Sequence, residues 1–407
     1  MSSRRLTVAT VFGTRPEVIK IAPVVRAMEA QPERFRTLNV GTGQHVQLMG
    51  AFAAELGIRV DADLSVGRPD QTPLSVVERT LCGLAAWLAE QRPDVVLVQG
   101  DTTAAFAGAL SGYYRKIPVG HLEAGLRSGQ RDDPFPEEMH RQMIGRLADV
   151  HYAATQRNVE SLLAEGIEPG RVVRTGNTVV DAVRWATERA YSSPRVEALM
   201  DRVGGGRLIV VTTHRRESFG ETMSQNLDAL RAFVEQHDDL RVVFPVHPNP
   251  AVRDAAQRHL GTCPRVHLVE PMGYFDFVAL LRSAWLVVSD SGGIQEEAPS
   301  LGKALLVIRK TTERPEGVEA GVAKLCVTPS MLGQELGAAY RTDWPERVSR
   351  IANPYGDGQA ATHIVNHLWQ VYGSPDPDQP STRGSETNAW PSPANPISPT
   401  TAIGPTS

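Results

Sequence analysis

The feature that most constrains this fold is an alternation that runs nearly end to end: short apolar, β-branched runs separated by longer stretches of helical periodicity. That alternation is the signature of βαβ units, in which parallel strands are joined by helices that cover both faces of a sheet. Strand candidates in the first half are LTVATVF (6–12), TLNVG (37–41), DVVLVQG (94–100), IPVGHL (117–122) and DVHYAAT (149–155). Between them lie helical patterns such as 72–91, where Leu74, Val77, Leu81, Leu84 and Leu88 recur at helical spacing. A segment from Thr178 to Gly206 carries few strand signals. The pattern then restarts with RLIVVTTH (207–214), LRVVFPVH (240–247), RVHLVE (265–270), AWLVVSD (284–290) and ALLVI (304–308). The expected fold class is α/β: two Rossmann-like doubly wound domains, 1–190 and 191–372, facing each other across a cleft. The last helix is able to pack back on the first domain. From 373 to 407 the chain turns to Pro, Ser, Thr and Gly, a tail that cannot bury enough apolar surface to order itself.

The chain has 407 residues, 41% hydrophobic and 22% charged, enough for two cores. A formal net charge of −4 argues against a nucleic-acid or anionic-membrane partner found by bulk electrostatics, and leaves a small anionic ligand open. Cys82, Cys263 and Cys326 lie far apart, so neither a disulfide framework nor a zinc site is indicated, which fits a cytoplasmic protein. The run after Arg4 and Arg5 holds two threonines and leads into GTRPE, so it reads as a first strand and not a signal peptide. No apolar run approaches the ~20 residues a membrane span needs.

Nearly every polar cluster follows a strand, where ligands of open parallel sheets bind. GTRPEVIK places Arg15 and Lys20 beside a helix start, a phosphate clamp or a solvated basic loop. In GDTTAA, Asp101 is a helix N-cap or a reactive carboxylate. HLEAGLRSGQRDDPFPEEMHRQ carries His121, Glu123 and Arg127, then Glu137, Glu138, His140 and Arg141 on a helix begun at Pro136. Glu137 and Arg141, four apart, suit a structural ion pair, whereas the whole cluster suits a shared acid/base site. THRRES offers His214, Arg215, Arg216 and Glu217 for phosphate or for local pairing, and His247 in PVHPNP reads as a structural loop histidine. In YFDF, Tyr274 and Phe275 read as core, and one ring near the helix start could stack on a planar base. SDSGGIQEEAP opens with the small residues of a phosphate-binding helix start, Ser291, Gly292 and Gly293. Glu297 lies more than a turn farther on, where a carboxylate suits ribose hydroxyls; Glu296, about 100° around the helix, points elsewhere. No metal-ligand spacing, P-loop or dinucleotide fingerprint occurs.

Taken together and in order, GTRPEVIK, GDTTAA, HLEAGLRS, PFPEEMHRQ, HRRES, SDSGGIQEEAP and TTERPE resemble the non-hydrolysing UDP-N-acetylglucosamine 2-epimerases, from about Leu6 to Gly373. The resemblance implies a glycosyltransferase-B-like architecture, a homodimer, no cofactor, a UDP-sugar substrate and reversible conversion of UDP-GlcNAc to UDP-ManNAc; the alternatives are a hydrolysing 2-epimerase releasing ManNAc and UDP, or a nucleotide-sugar glycosyltransferase of the same fold. It assigns catalysis to Lys20, Asp101, Glu123, Glu137, Arg141 and His214. It assigns UDP contacts to Arg15, Phe277, Ser291, Gly292, Gly293, Glu297 and Arg314. Two positions depart from the family pattern: Thr213 stands where Gly is frequent, and Lys310 where Asp is frequent. An activator site for a second UDP-GlcNAc would use Gln44, His45 and Gln47, but Val46 and Asp70 stand where activated members have arginine.

The chemistry sets its own demands. The proton on sugar C2 is not next to a carbonyl, so the family route eliminates UDP across C1–C2 to 2-acetamidoglucal and re-adds it. That route needs a stabilised departing diphosphate, acid/base groups on both ring faces and a dry cleft. The expectation is that Asp101 and Glu137 move protons, Glu123 positions or tunes them, and Lys20 with Arg141 balances charge.

Overall fold

The computed structural model describes residues 4–43, 46–68, 71–189, 193–215 and 219–373, with only the backbone of 46–48. Thirteen strands are β1 (Leu6–Phe12), β2 (Phe35–Gly41), β3 (Ala62–Asp63), β4 (Val95–Gln99), β5 (Val119–Ala124), β6 (Val150–Ala153), β7 (Val172–Arg174), β8 (Arg207–Thr212), β9 (Leu240–Pro245), β10 (Val266–Val269), β11 (Leu286–Ser289), β12 (Ala304–Val307) and β13 (Ala323–Leu325). They form a seven-stranded sheet, β3-β2-β1-β4-β5-β6-β7, and a six-stranded sheet, β10-β9-β8-β11-β12-β13. The pairings are parallel, and both sheets carry helices in their crossovers. In each sheet the order reverses beside the first strand, between β1 and β4 and between β8 and β11, which creates the crevice where ligands bind.

The ten strands expected from apolar runs are all present within a few residues of their predicted bounds. The other three, β3, β7 and β13, have two or three residues each and lie at sheet edges. Strands that short are too brief to show any periodicity. Strand β4, by contrast, is buried along its whole length, which is why it reads as a continuous apolar run.

One core surrounds Phe12, Ile21, Met28 and Leu56 between the first sheet and the helix Arg15–Glu29. A second fills the space around Ile209, Phe244, Leu286 and Leu306. The first core is not built from the first half alone. Tyr274, Phe275 and Val278 enter it from the second half, and Ala361, Ile364 and Leu368 enter from the helix Ala360–Leu368. That helix starts on Asp181, whose carboxylate accepts the amides of Ala360 (3.2 Å) and Ala361 (3.0 Å). The chain therefore returns to its own beginning, with Trp369 edge-on to Phe35 at 5.7 Å. Residues up to Gly373 form one compact unit, and the proposed tail, from Ser374 onward, lies outside the described residues. Among the described residues no helix is long and apolar enough to cross a membrane.

Because Leu368 is fully buried among residues of the first sheet's core, Leu368→Ala should lower stability by about 3 kcal/mol through lost burial and a residual cavity. Guanidinium unfolding would read this as a lower midpoint. An unchanged midpoint would mean that the returning helix contributes nothing to the first core.

Candidate active site

The two switch points open onto one cleft of about 740 Å³, and its lining includes Lys20, Asp101, Glu123, Glu137, Arg141 and His214. Arg15, Phe277, Ser291, Gly292, Gly293, Glu297 and Arg314 line the same cleft. Local sequence explains why each side chain arrives there. Thr14 caps the helix Arg15–Glu29, and Glu17 accepts the amides of Gly13 (2.9 Å) and Thr14 (2.7 Å) and the hydroxyl of Thr102 (2.6 Å). This capping box locks the β1 and β4 loops together and places Lys20 one turn inside the cleft. The cap of the next helix is Thr102, whose hydroxyl accepts the Ala105 amide at 3.0 Å. Asp101 is therefore not the N-cap, and its carboxylate is free to face the cleft.

Glu123 sits where the β5–β6 register slips between Leu122 and Ala124, with φ of 61°. A left-handed non-glycine residue costs of order 1 kcal/mol or more, a strain that clusters at functional sites. Its carboxylate contacts Lys20 Nζ and receives Gln99 and Asn177 side-chain amides at 3.4 Å each. Arg141 corrects one expectation: it pairs with Asp101 (2.7 Å) and Glu138 (3.1 Å), not with Glu137. Glu137 is consequently left with no ion pair among the described residues. Burial, reinforced by the neighbouring charge of Asp101, raises its pKa.

On the facing wall, Ser291 precedes the helix Gly292–Ser300, and its amide donates to Ser289 Oγ at 2.9 Å. A β-carbon at Gly292 would come within 2.9 Å of Arg314 Nη1, so glycine is what lets the guanidinium pass. Glu296 turns elsewhere than Glu297, as the rotation of about 100° predicts. It is buried and bridges the two walls, ion-paired with Lys20 Nζ at 2.7 Å and accepting a hydrogen bond from Arg314 Nε at 2.6 Å. Arg314 continues to Glu313 (2.6 Å) and Glu313 to Arg309 (2.7 Å). Burial works against ionisation of Glu313, but Arg314 and Arg309 hold its carboxyl well below the usual range. Glu297, next in sequence to the bridge, has no such partner. Burial and the charge of Glu296 push it up to about 7.

His214 is half exposed, with Nδ1 3.2 Å from buried Asp290 and its ring beside His247 at 5.8 Å. His247 and Tyr274, read from sequence as structural, both line the cleft, and the buried Tyr274 hydroxyl has no hydrogen-bond partner among the described residues. Phe275 keeps the core role, edge-on to Trp185 at 5.3 Å. Asp290 was missed altogether, although it stands inside the quoted SDSGG. Other members of the acidic and basic cluster are structural. His121 is buried on the Gly100 carbonyl (2.7 Å), where burial lowers its pKa to about 4; Arg127 forks onto Glu165 (2.6 and 2.8 Å); His140 meets the Asp101 carbonyl at 2.9 Å. Gln44, His45, Asp70, Arg216 and Glu217 lie outside the described residues, as does the side chain of Gln47. Arg68 is spent on its own loop, donating to the carbonyls of Ser65 (2.9 Å) and Gly67 (2.7 Å). Among the described residues no cluster of His, Cys, Asp or Glu could hold a metal ion.

Two parallel-sheet α/β domains, with a glycine-started helix opposite half-buried carboxylates, define a glycosyltransferase-B-like architecture. At 15% identity the glycotransferase of kitacinnamycin still superposes with a TM-score of 0.61, a likeness of fold alone. The narrower assignment comes from sequence as well as shape. The family model "UDP-N-acetylglucosamine 2-epimerase" matches residues 26–369. A UDP-N-acetylglucosamine 2-epimerase of Bacillus subtilis strain 168 is 44% identical over 372 residues, covering 91% of this chain and 97% of that protein. The crystal structure of the UDP-GlcNAc 2-epimerase of Neisseria meningitidis bound to UDP-GlcNAc is 37% identical, with a TM-score of 0.84 over 90% of this chain and all of that one. The chain belongs to the UDP-N-acetylglucosamine 2-epimerase family.

The Glu297 environment has a pH signature. Its folded pKa near 7 exceeds the unfolded value of 4.5, so the folded state retains a proton that the unfolded chain releases, and stability falls as pH rises between the two. Glu297→Gln removes this penalty. It should melt with wild type near pH 4.5 and be more stable at pH 8 by about 3 kcal/mol, read from thermal unfolding against pH. A difference that does not change with pH would refute the raised pKa.

Proposed function

We propose that the protein interconverts UDP-GlcNAc and UDP-ManNAc, keeping UDP throughout, by eliminating it to 2-acetamidoglucal and adding it back. The observation that carries this reading is the division of charge across the cleft. The second-half wall offers a helix N-terminus and His214, and the first-half wall offers Asp101, Glu123 and Glu137 with Arg15 at its own helix start. In the forward step a base takes the C2 proton, its bonding pair becomes the C1–C2 π bond, and the C1–O pair leaves with UDP. The amides of Gly292 and Gly293 with Arg15 and His214 meet the growing diphosphate charge. In the return step a proton is delivered to C2 from the opposite face and a diphosphate oxygen re-forms the bond to C1.

The pairing pattern supports a division of labour among the carboxylates. Asp101 and Glu123 are ion-paired with Arg141 and Lys20, which suits proton acceptance or charge balance. Glu137, unpaired and raised by burial, is the carboxyl that can hold a proton and deliver it. Glu297 is the ribose ligand on this reading, and Phe277 stacks against the uracil. A homodimer and an activator role for Gln44, His45 and Gln47 belong to the same proposal, though both substituted arginine positions weigh against the activator role.

Incubation with UDP-GlcNAc in deuterium oxide is the direct test. NMR should find deuterium at C2 in a mixture of UDP-GlcNAc and UDP-ManNAc. No exchange would sink the proposal, and accumulation of free ManNAc with UDP would select hydrolysis instead. Glu137→Gln should lower kcat by about 100-fold or more and leave UDP affinity nearly unchanged, measured by calorimetry. Near-normal turnover would remove Glu137 from proton transfer.

A further inference from the structure

Asp290 is completely buried at the end of β11, between Ser289 and the helix start at Ser291. A carboxylate withdrawn from water needs donors, and this one draws them from three consecutive residues after β8. Oδ2 accepts the Thr213 hydroxyl at 2.7 Å, the His214 amide at 3.0 Å and the Arg215 amide at 3.0 Å. Oδ1 accepts the His214 amide at 3.1 Å and lies 3.2 Å from His214 Nδ1. One buried side chain thus holds the histidine's backbone and its ring together. The ring itself lines the cleft, so occupation of Nδ1 leaves Nε2 as the nitrogen open to a ligand.

We infer that Asp290 is the positioning residue for His214, fixing the Nδ1–H tautomer and presenting Nε2 to the departing diphosphate. The last clause rests on the proposed elimination reaction; the tautomer assignment does not. Which ring nitrogen carries the proton is set by the hydrogen bond the other makes, and a carboxylate on Nδ1 makes Nε2 the acceptor in the neutral ring. When Nε2 gains a proton, the imidazolium is stabilised by the same carboxylate, and no proton passes to Asp290. Thr213 sharpens the arrangement. Its hydroxyl occupies Oδ2, which leaves Oδ1 toward the ring, and a glycine at that position could not do so. Because Asp290 is followed directly by Ser291, Gly292 and Gly293, it also sets the imidazole and the helix start in fixed relation.

The test combines a spectroscopic and a kinetic reading on the full chain. In 15N-histidine spectra, with His214→Asn used only to assign the resonance, the wild-type ring should be the Nδ1–H tautomer. An Nε2–H or averaged ring would overturn the inference, whatever the activity. In Asp290→Asn, the amide no longer dictates the tautomer, so the spectrum should become mixed. Its kcat should fall by about 100-fold or more, with KM within about threefold of wild type. Unchanged kcat and tautomer in a folded Asp290→Asn would also overturn it. Should that variant fail to fold, the wild-type tautomer decides. Absence of C2 exchange in wild type would defeat the epimerisation reading and leave the tautomer result standing on its own.

Discussion

The ammonium group of Lys20 is the point on which the site depends. It is buried between two carboxylates that come from different halves, Glu123 near the end of β5 and Glu296 on the helix after β11. Desolvation by itself would lower the lysine pKa; the two carboxylates, with Glu123 the larger influence, reverse this and raise it. Removing one member of a buried pair leaves an uncompensated charge costing roughly 3–5 kcal/mol, so the ion pairs hold the two walls of the cleft at a fixed separation as well as serving chemistry.

From Lys20 the charges continue in an ordered chain: Glu123 and Glu296 on the lysine, then Arg314, Glu313 and Arg309. Three cations and three anions cancel, which is what makes their burial tolerable. The cancellation also decides which groups remain outside the chain. Arg314 is shared by two glutamates and so has little unspent charge for a phosphate, whereas the helix amides at Ser291–Gly293 are not consumed by it. Glu137 and Glu297 are the carboxyls of the cleft that no cation neutralises, and burial raises both. Structural pairing and chemical readiness are therefore complementary in this cleft. The groups that are paired set the geometry, and the groups that are not paired are the ones whose protonation can change.

The fold was legible because the strongest signals, apolar β-branched runs broken by helical periodicity, come from strands buried on both faces, such as β1 and β4. Edge strands β3 and β7, short and half exposed, leave no such trace. The residue types of the site were legible too, since they follow strand ends, where the topology must bring them together. What sequence could not give was pairing. Four-residue spacing suggested Glu137 with Arg141, yet Arg141 turns across the fold to Asp101, forty positions away. A rotation of 100° suggested that Glu296 faces away from the nucleotide site, which is correct, but the direction it faces holds Lys20 and Arg314. Helical spacing orders neighbours along one element; it carries no information about which other element approaches.

Asp290, which the sequence did not mark, and Glu296, whose partners it did not reveal, have one property in common. Each stands inside a motif whose neighbours suggest a ligand, and each is instead turned inward, so its role exists only through another residue. Buried polar groups of this kind must be satisfied from outside their own segment. Asp290 draws on the Thr213–Arg215 loop, and Glu296 on Lys20 and Arg314. Both lie in the single stretch from Ser289 to Glu297, which therefore does more than seat a nucleotide. Through one carboxylate it orients the histidine of its own sheet, and through the other it grips the lysine of the opposite sheet. The spacing of six residues between them, close to one strand end and the helix turn that follows, fixes these two grips relative to each other. A shift in the helix start is then felt on both sheets at once, at His214 through Asp290 and at Lys20 through Glu296.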